Sequence, residues 1–336
     1  MTVADAVLAV MFVGLTAYAL FAGSDFGAGV WDLLAGGTRR GQQQRDQIEH
    51  SLAPVWEANH VWLIFVLVVL WTGFPPAFAA IASTLYIPLT LAALGMIARG
   101  SAFAFRKTVP SLSVQRFFGA AFAFSSFVTP FFLGAIVGGI ASGRVPPGIA
   151  AGNVVTSWIN PTSALGGVLA VGVCAYLAAV LLCADAQRDV SPELAARFRA
   201  RALITAIVVG VIAAIGILVL RSDAPRLFDG LTHRGLPLMI VSALAGVASI
   251  LLLVRRRYGW ARITAGLAVT AVLWGWAVAQ YPYILPYTMT ITQAAAGRAT
   301  QTTMLVSLLI GSVLLLPALV FLYTLFQRGH RDRTTV

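Results

Sequence analysis

Apolar stretches of about 20 residues recur along the whole chain, and each is long enough to cross a bilayer as a helix. Of the 336 residues, 59% are hydrophobic and 10% are charged, and the mean hydropathy is +0.86. A soluble domain carries about 25% charged residues, so this chain has too little polar surface for a water-soluble globule. We therefore expect an all-α integral membrane protein.

Hydropathy windows predict nine transmembrane helices. No connecting segment is long enough for a separate soluble domain, so residues 1–336 are predicted to form one polytopic membrane domain. The first apolar stretch has no basic segment before it and no convincing cleavage site, which indicates a retained helix rather than a signal peptide. The predicted helices lie near residues 5–34, 52–73, 77–98, 117–140, 162–184, 203–220, 236–254, 262–280 and 303–326.

The basic residues predict the orientation of these helices. Of the 23 Lys and Arg residues, 18 lie in the segments that follow the first, third, fifth, seventh and ninth spans. Cytoplasmic loops are enriched in Lys and Arg, so we expect the N-terminus outside and the C-terminus in the cytoplasm. The net charge of +11 is divided among these short loops, which argues against nucleic acid as a partner.

A few ionisable residues interrupt the apolar spans, and residues of this kind usually handle ions or protons. Asp25 is about 15 Å from the inner end of the first span, at 1.5 Å per residue, and Asp32 marks that end. Glu57 and His60 share one face of the second span, with His60 one turn deeper. Arg99 closes the third span at the inner interface. The series suits proton uptake from the cytoplasm.

A structural interpretation of the same residues is also open. Asp25 could pair with a basic residue or cap a helix break. Glu57 and Asn59 could be satisfied by hydrogen bonds within the first turn of the second span. The residue pattern does not decide between proton handling and structural pairing.

The histidines and cysteines limit the cofactors that the chain could hold. Haem b between helices takes axial His or Met ligands, and His60 is the one histidine of the four that falls inside a predicted span. Cys174 and Cys183 are about 13 Å apart along one predicted helix, too far for a disulfide. We expect the chain to ligate no redox cofactor and no metal by itself.

Five segments, in order along the chain, carry a resemblance to a known family. They are Gly23-Ser-Asp-Phe-Gly-Ala-Gly29, Ser51-Leu-Ala-Pro-Val-Trp-Glu-Ala-Asn-His-Val-Trp-Leu-Ile64, Ser126-Phe-Val-Thr-Pro130, Asn160-Pro-Thr-Ser-Ala-Leu-Gly-Gly167 and Tyr281-Pro-Tyr-Ile-Leu-Pro286. With them the chain resembles subunit II of the cytochrome bd-type quinol oxidases, which are bacterial terminal oxidases. The resemblance extends from the first span to the last.

The resemblance implies a heterodimer with a haem-bearing subunit I in the bacterial cytoplasmic membrane, with small accessory subunits and lipid as further candidate partners. It implies that subunit I ligates two haems b and one haem d, and that the complex oxidises quinol and reduces O₂ to water. It implies two four-helix bundles plus one extra helix. Subunit II would brace subunit I and supply a cytoplasmic proton route, with Glu57, Asp25 and Arg99 at family positions.

The chain departs from the family pattern at three places. Glu57 stands where the family also has Asp, and His60 stands where other members can have Gln. Some members have a second aspartate shortly before Asp25, where this chain has Ala22 or Gly23. The alternative function, of a different class, is a proton-coupled secondary transporter that uses Asp25, Glu57 and His60.

Overall fold

The computed structural model describes residues 2–36, 41–52, 56–105, 112–189 and 191–329, and these ranges are almost entirely helical. The longest non-helical stretch in these ranges is the loop 142–160, and the two strands β1 (Tyr283–Leu285) and β2 (Met289–Thr290) form an antiparallel hairpin. The helices are α1 (Val3–Leu33), α2 (Gln42–Leu52), α3 (Trp56–Gly73), α4 (Pro75–Thr84), α5 (Tyr86–Phe105), α6 (Leu112–Ala141), α7 (Pro161–Arg188), α8 (Pro192–Asp223), α9 (Pro225–Thr232), α10 (Leu236–Val254), α11 (Tyr258–Gln280), α12 (Ile291–Ala294) and α13 (Arg298–Gly329).

Seven helices in the described ranges are long and apolar enough to cross a membrane, which makes the chain a multi-pass membrane protein. They are α1, α6, α7, α8, α10, α11 and α13. An eighth candidate is the pair Asn59–Gly73 and Pro75–Thr84, whose two parts are bent by 120°. The all-α membrane class is therefore confirmed, whereas the count of nine spans stays a prediction.

The predicted span 77–98 is wrong as a single helix, because the structure divides it between α4 and α5. Helix α4 ends at Thr84 and α5 begins at Tyr86. Pro88 follows in the first turn of α5 and has no N–H to donate to the Thr84 carbonyl. Its ring would also clash with that carbonyl in a continuous helix. The chain therefore breaks at Leu85.

Two further helices differ from the predicted spans because charged or polar residues exclude them from an apolar window. Helix α2 lies between the first two predicted spans, and most of its residues are polar. Helix α8 begins at Pro192, well before the predicted start at residue 203. Pro is favoured in a first helical turn, and the charged turns that follow still form a helix.

Helix α1 is the central element, because α3, α6, α7 and α11 all contact it. Its second half joins a buried apolar cluster with α2, α7, α8, α10 and α11. Its first half joins a second cluster with α3, α4, α13 and the hairpin. A small group formed by Tyr18, Ala22, Phe26 and Cys174 lies between the two clusters.

Helices α1 and α7 approach until their backbones touch at Gly27. A Cβ atom added at Gly27 would lie 1.8 Å from the carbonyl oxygen of Cys174, a distance that no side chain can occupy. One turn further on, Trp31 Nε1 donates a hydrogen bond of 2.8 Å to the Ala175 carbonyl. Small residues allow such close approach between membrane helices. This explains the glycines of the segment Gly23–Gly29.

We expect Gly27→Ala to destabilise the protein by at least about 1–3 kcal/mol, the usual cost of overpacking a core. Gly23→Ala is the matched control on the same helix, because its Cβ would lie 3.5 Å from Leu177 and 3.6 Å from Cys174, in ordinary contact. The measurement is the thermal unfolding midpoint of each purified variant in detergent. Equal midpoints for the two variants would contradict the close approach of α1 and α7.

Candidate functional site

Asp25 of α1 and Arg99 of α5 form an ion pair inside the protein. Arg99 Nη2 lies 2.8 Å from Asp25 Oδ1, and each side chain is 2% exposed. The same Nη2 donates a second hydrogen bond of 2.8 Å to the Asp25 backbone carbonyl. The sequence predicted Arg99 at the inner interface, and its depth in the membrane stays a prediction, whereas its pairing with Asp25 is observed in the structure. Pairing compensates for the removal of this charge from water, and a hydropathy pattern cannot detect a partner 74 residues away.

The rest of the Arg99 guanidinium is enclosed by α6 and α1. Nη1 donates to Ser126 Oγ, and this hydroxyl donates in turn to the Phe122 carbonyl at 2.7 Å. The guanidinium carbon lies 4.1 Å from the centre of the Phe122 ring and 5.1 Å from that of Phe26. Cation–π contacts of this kind stabilise a desolvated cation, so Arg99 is held by hydrogen bonds and by ring faces.

Gly29 provides the space in which Arg99 and Ser126 lie against α1. A Cβ atom at Gly29 would come within 2.9 Å of Arg99 Nη1 and within 2.7 Å of Ser126 Cβ. The glycines of the Gly23–Gly29 segment therefore have two functions in the fold. Gly27 admits the α7 backbone, and Gly29 admits the arginine that pairs with Asp25.

His60 of α3 lies beside this ion pair. Its ring centre is 5.7 Å from that of Phe26, in an edge-on arrangement, and the residue is half-buried. It is close enough to Asp25 and Arg99 for electrostatic interaction with both. The structure thus brings together three of the predicted site residues, which come from three separate helices.

The two other predicted site residues lie toward the end of α1 and at the start of α3. Asp32 is in the last turn of α1, at the end of the helix where the sequence predicted it, and it is 7% exposed. It is seven residues from Asp25, or about 10 Å along the same helix face. Glu57 is in the first turn of α3, but its side chain lies outside the described part of the structure.

Sequence reasoning missed Tyr18, Phe122 and Ser126 as neighbours of the site. Tyr18 is seven residues before Asp25, and this spacing on a helix could have indicated it. Ser126 belongs to one of the family segments, but its contact with Arg99 depends on how α5 and α6 pack. Phe122 faces inward and is 5% exposed.

The described residues contain no group of three or more His, Cys, Asp or Glu side chains that could hold a metal ion. Two other described histidines, His50 and His233, are exposed. Cys174 and Cys183 are buried free thiols.

Comparison with known proteins identifies the chain. The family model described as cytochrome bd terminal oxidase subunit II matches residues 3–326. The chain belongs to this family. Its membership confirms the resemblance seen in the five sequence segments and makes the protein a terminal oxidase subunit. The secondary transporter alternative is not favoured.

Individual relatives agree with this assignment. Cytochrome bd ubiquinol oxidase subunit 2 of Bacillus subtilis (strain 168) is 25% identical over 344 residues, which cover 98% of this chain and 96% of the relative. Cytochrome bd-I ubiquinol oxidase subunit 2 of Escherichia coli (strain K12) is 28% identical over 201 residues, 58% of this chain and 51% of that one. The fold is similar to a chain of the bd oxidase from Geobacillus thermodenitrificans, with a TM-score of 0.74, 25% identity and coverage of 97% and 99% of the two chains.

We expect Arg99→Met to destabilise this subunit II by about 3–5 kcal/mol, because it leaves the buried Asp25 carboxylate without a counter-charge. Adding Asp25→Asn to Arg99→Met removes that charge and should recover a large part of the loss. The measurement is the thermal unfolding midpoint of the purified complex.

A surface ion pair supplies the control for this double-mutant cycle. Arg188→Met removes an arginine that is 58% exposed and lies 3.7 Å from Asp185, and such pairs contribute about 0–1 kcal/mol. Additive losses from Asp25→Asn and Arg99→Met would contradict a direct energetic coupling between the two residues.

Proposed function

We propose that this subunit II is the non-haem-ligating partner of a haem-bearing subunit I in a bacterial cytoplasmic membrane. The complex oxidises quinol and reduces O₂ to water, and subunit II supplies a route for protons from the cytoplasm. The match to the family over residues 3–326 supports the oxidase. The names of the relatives, which are ubiquinol oxidase subunits, support quinol as the substrate of the complex.

The haems are assigned to subunit I. A haem b held between helices needs axial His or Met ligands on facing helices. The one described histidine near the interior, His60, packs edge-on against Phe26 beside an ion pair, and His50 and His233 are exposed. These residues do not fit a haem with two histidine ligands in this chain. We therefore assign the two haems b and the one haem d that the family resemblance implies to the partner.

The proton role rests on one observation at Asp25. Its Oδ1 atom is paired with Arg99, whereas its Oδ2 atom is buried and has no hydrogen-bond partner among the described residues. This second oxygen is free to exchange a proton with water. Arg99 supplies a fixed positive charge beside it, so the ionised carboxylate is never an isolated charge in a low-dielectric interior.

The route begins at the cytoplasmic end of α1 and α3. Asp32 and Glu57 are its outer members, and His60 and Asp25 are its deeper members. Reduction of O₂ to water consumes protons, so a chain of titratable groups that ends inside the membrane suits this complex. Arg99 acts on the route through Asp25 and not as a proton carrier, because a guanidinium does not lose its proton in proteins.

The membrane arrangement that goes with this role has nine spans and two four-helix bundles plus one extra helix. Helix α5 supplies the ninth span beside α6, which it contacts extensively. The N-terminus lies outside and the C-terminus in the cytoplasm, as the distribution of Lys and Arg indicates. Phe117 and Phe124 of α6 are 69% and 71% exposed, which supports a surface covered by lipid or by subunit I. Small accessory subunits are further candidate partners of the complex. Nucleic acid is not a candidate partner.

The complex purified through a tag on this chain should show both haem b and haem d absorption bands. His60→Gln should leave every band in place, because Gln preserves hydrogen bonding and the histidine ligates no haem. The measurement is the reduced-minus-oxidised visible spectrum per mole of complex. Loss of one complete haem signal in an otherwise intact His60→Gln complex would contradict the assignment of all haems to subunit I.

We expect Glu57→Gln to assemble with normal haem content and to lose most quinol-dependent O₂ consumption, since Gln keeps the size and hydrogen bonding but not the titratable proton. Glu57→Asp should retain much of the activity. Asp25→Asn should lower O₂ consumption in the same direction as Glu57→Gln, and its rate is compared per mole of haem because this substitution also leaves the buried Arg99 without a counter-charge. The measurement is O₂ uptake per mole of haem with a soluble quinol.

Asp229→Asn is the control for these substitutions, because this aspartate side chain on α9 is 75% exposed and outside the route. It should turn over at the parental rate. If Glu57→Gln and Asp25→Asn also do so with intact haems, the two residues are structural, and the protons pass through the other subunit.

A further inference from the structure

Three buried polar atoms around the ion pair have no hydrogen-bond partner among the described residues. They are the Tyr18 hydroxyl, Asp25 Oδ2 and His60 Nδ1. Tyr18 is 7% exposed and Asp25 is 1% exposed. Buried polar groups in proteins are nearly always hydrogen-bonded, and ordered water serves where no protein group does. Three such atoms in one region indicate a water-binding site.

The three atoms belong to one part of the interior. Tyr18 and Phe26 are members of the small group between the two apolar clusters, and Phe26 contacts both the His60 ring and the Arg99 guanidinium. Tyr18 interacts electrostatically with Asp25 and Arg99, as His60 does. Tyr18 and His60 are therefore both within electrostatic reach of the same ion pair.

Tyr18, Asp25 and Asp32 also form a stripe along one face of α1. They follow each other at seven-residue intervals, and seven residues come within about 20° of two full helix turns. Each interval is about 10 Å along the axis, whereas a hydrogen bond spans about 3 Å. Protons can pass along this stripe only through intervening water. The next members toward the N-terminus, Met11 and Ala4, offer no comparable group, so the stripe ends at Tyr18.

We propose that Tyr18, Asp25 and His60 surround a buried water-binding site, and that the Tyr18 hydroxyl passes protons onward from Asp25. This rests on the proposed proton route and extends it by one residue. Asp25 takes a proton from water on the Asp32 side and releases it to water on the Tyr18 side. Tyr18 donates its hydroxyl proton to a second water, on the side away from Asp25, and regains one from the water on the Asp25 side, since a phenol both donates and accepts. One proton moves, no electron is transferred, and each group returns to its starting state.

The first test is Tyr18→Phe, which removes one oxygen atom and keeps the ring. With full haem content, we expect O₂ consumption to fall several-fold and the solvent deuterium isotope effect on turnover to rise, because proton delivery becomes slower. Tyr176→Phe is the matched control. It removes the hydroxyl of another buried tyrosine, one that is already hydrogen-bonded to Ser249 on α10. It should leave the rate and the isotope effect at the parental values.

The second test is a high-resolution structure of the parental and Tyr18→Phe complexes. We expect ordered water in hydrogen-bond contact with the Tyr18 hydroxyl and Asp25 Oδ2, and the loss of at least one of these waters in the variant. A dry interior at this position overturns the water-binding site, whatever the activity of the variants.

The two tests separate this inference from the proposed function. If Asp25→Asn is impaired while Tyr18→Phe keeps the parental rate and isotope effect, the onward role of Tyr18 is overturned and the proton route through Asp25 stands. If Asp25→Asn turns over at the parental rate, the route and the role of Tyr18 both fail, and the water-binding site is decided by the structures alone.

Discussion

An arginine keeps its charge wherever it lies, so burying Arg99 in α5 requires an acidic partner at the same depth. Asp25 of α1 is that partner, at 2.8 Å. Other features of the interior follow from this pairing. Gly29 is small so that the guanidinium fits against α1, and Ser126 of α6 accepts a further hydrogen bond from it. Helices α1, α5 and α6 are thereby held together around one charge pair.

The same pairing reconciles the two interpretations that the residue pattern left open. Structural pairing and proton handling were alternatives for Asp25, but a carboxylate has two oxygens. Oδ1 is bound to Arg99, and Oδ2 is buried without a hydrogen-bond partner among the described residues. One atom can hold the helices in place while the other exchanges protons with water. In this arrangement the ion pair with Arg99 holds Asp25 in position, and this positioning supports proton exchange at Oδ2.

Apolar length and few charges are enough to predict an all-α membrane protein, because a spanning segment must satisfy its backbone hydrogen bonds internally. The break at Leu85 was readable from Pro88, but a hydropathy window averages over a single proline. Tyr18 was readable from its seven-residue spacing to Asp25. The pairing of Arg99 with Asp25 was not readable, since it depends on how two separate helices pack. The role of Glu57 stays a prediction.

The separation of the ion pair along the chain has a consequence for how the protein is made. Asp25 precedes Arg99 by 74 residues, so at about 5–20 residues per second it is synthesised about 4–15 seconds earlier. A carboxyl group can be protonated and therefore neutral in an apolar environment before its partner is synthesised. A guanidinium cannot lose its charge. Asp25 is synthesised first and Arg99 second. The permanent positive charge of Arg99 therefore enters the membrane when Asp25, its counterion, is already present.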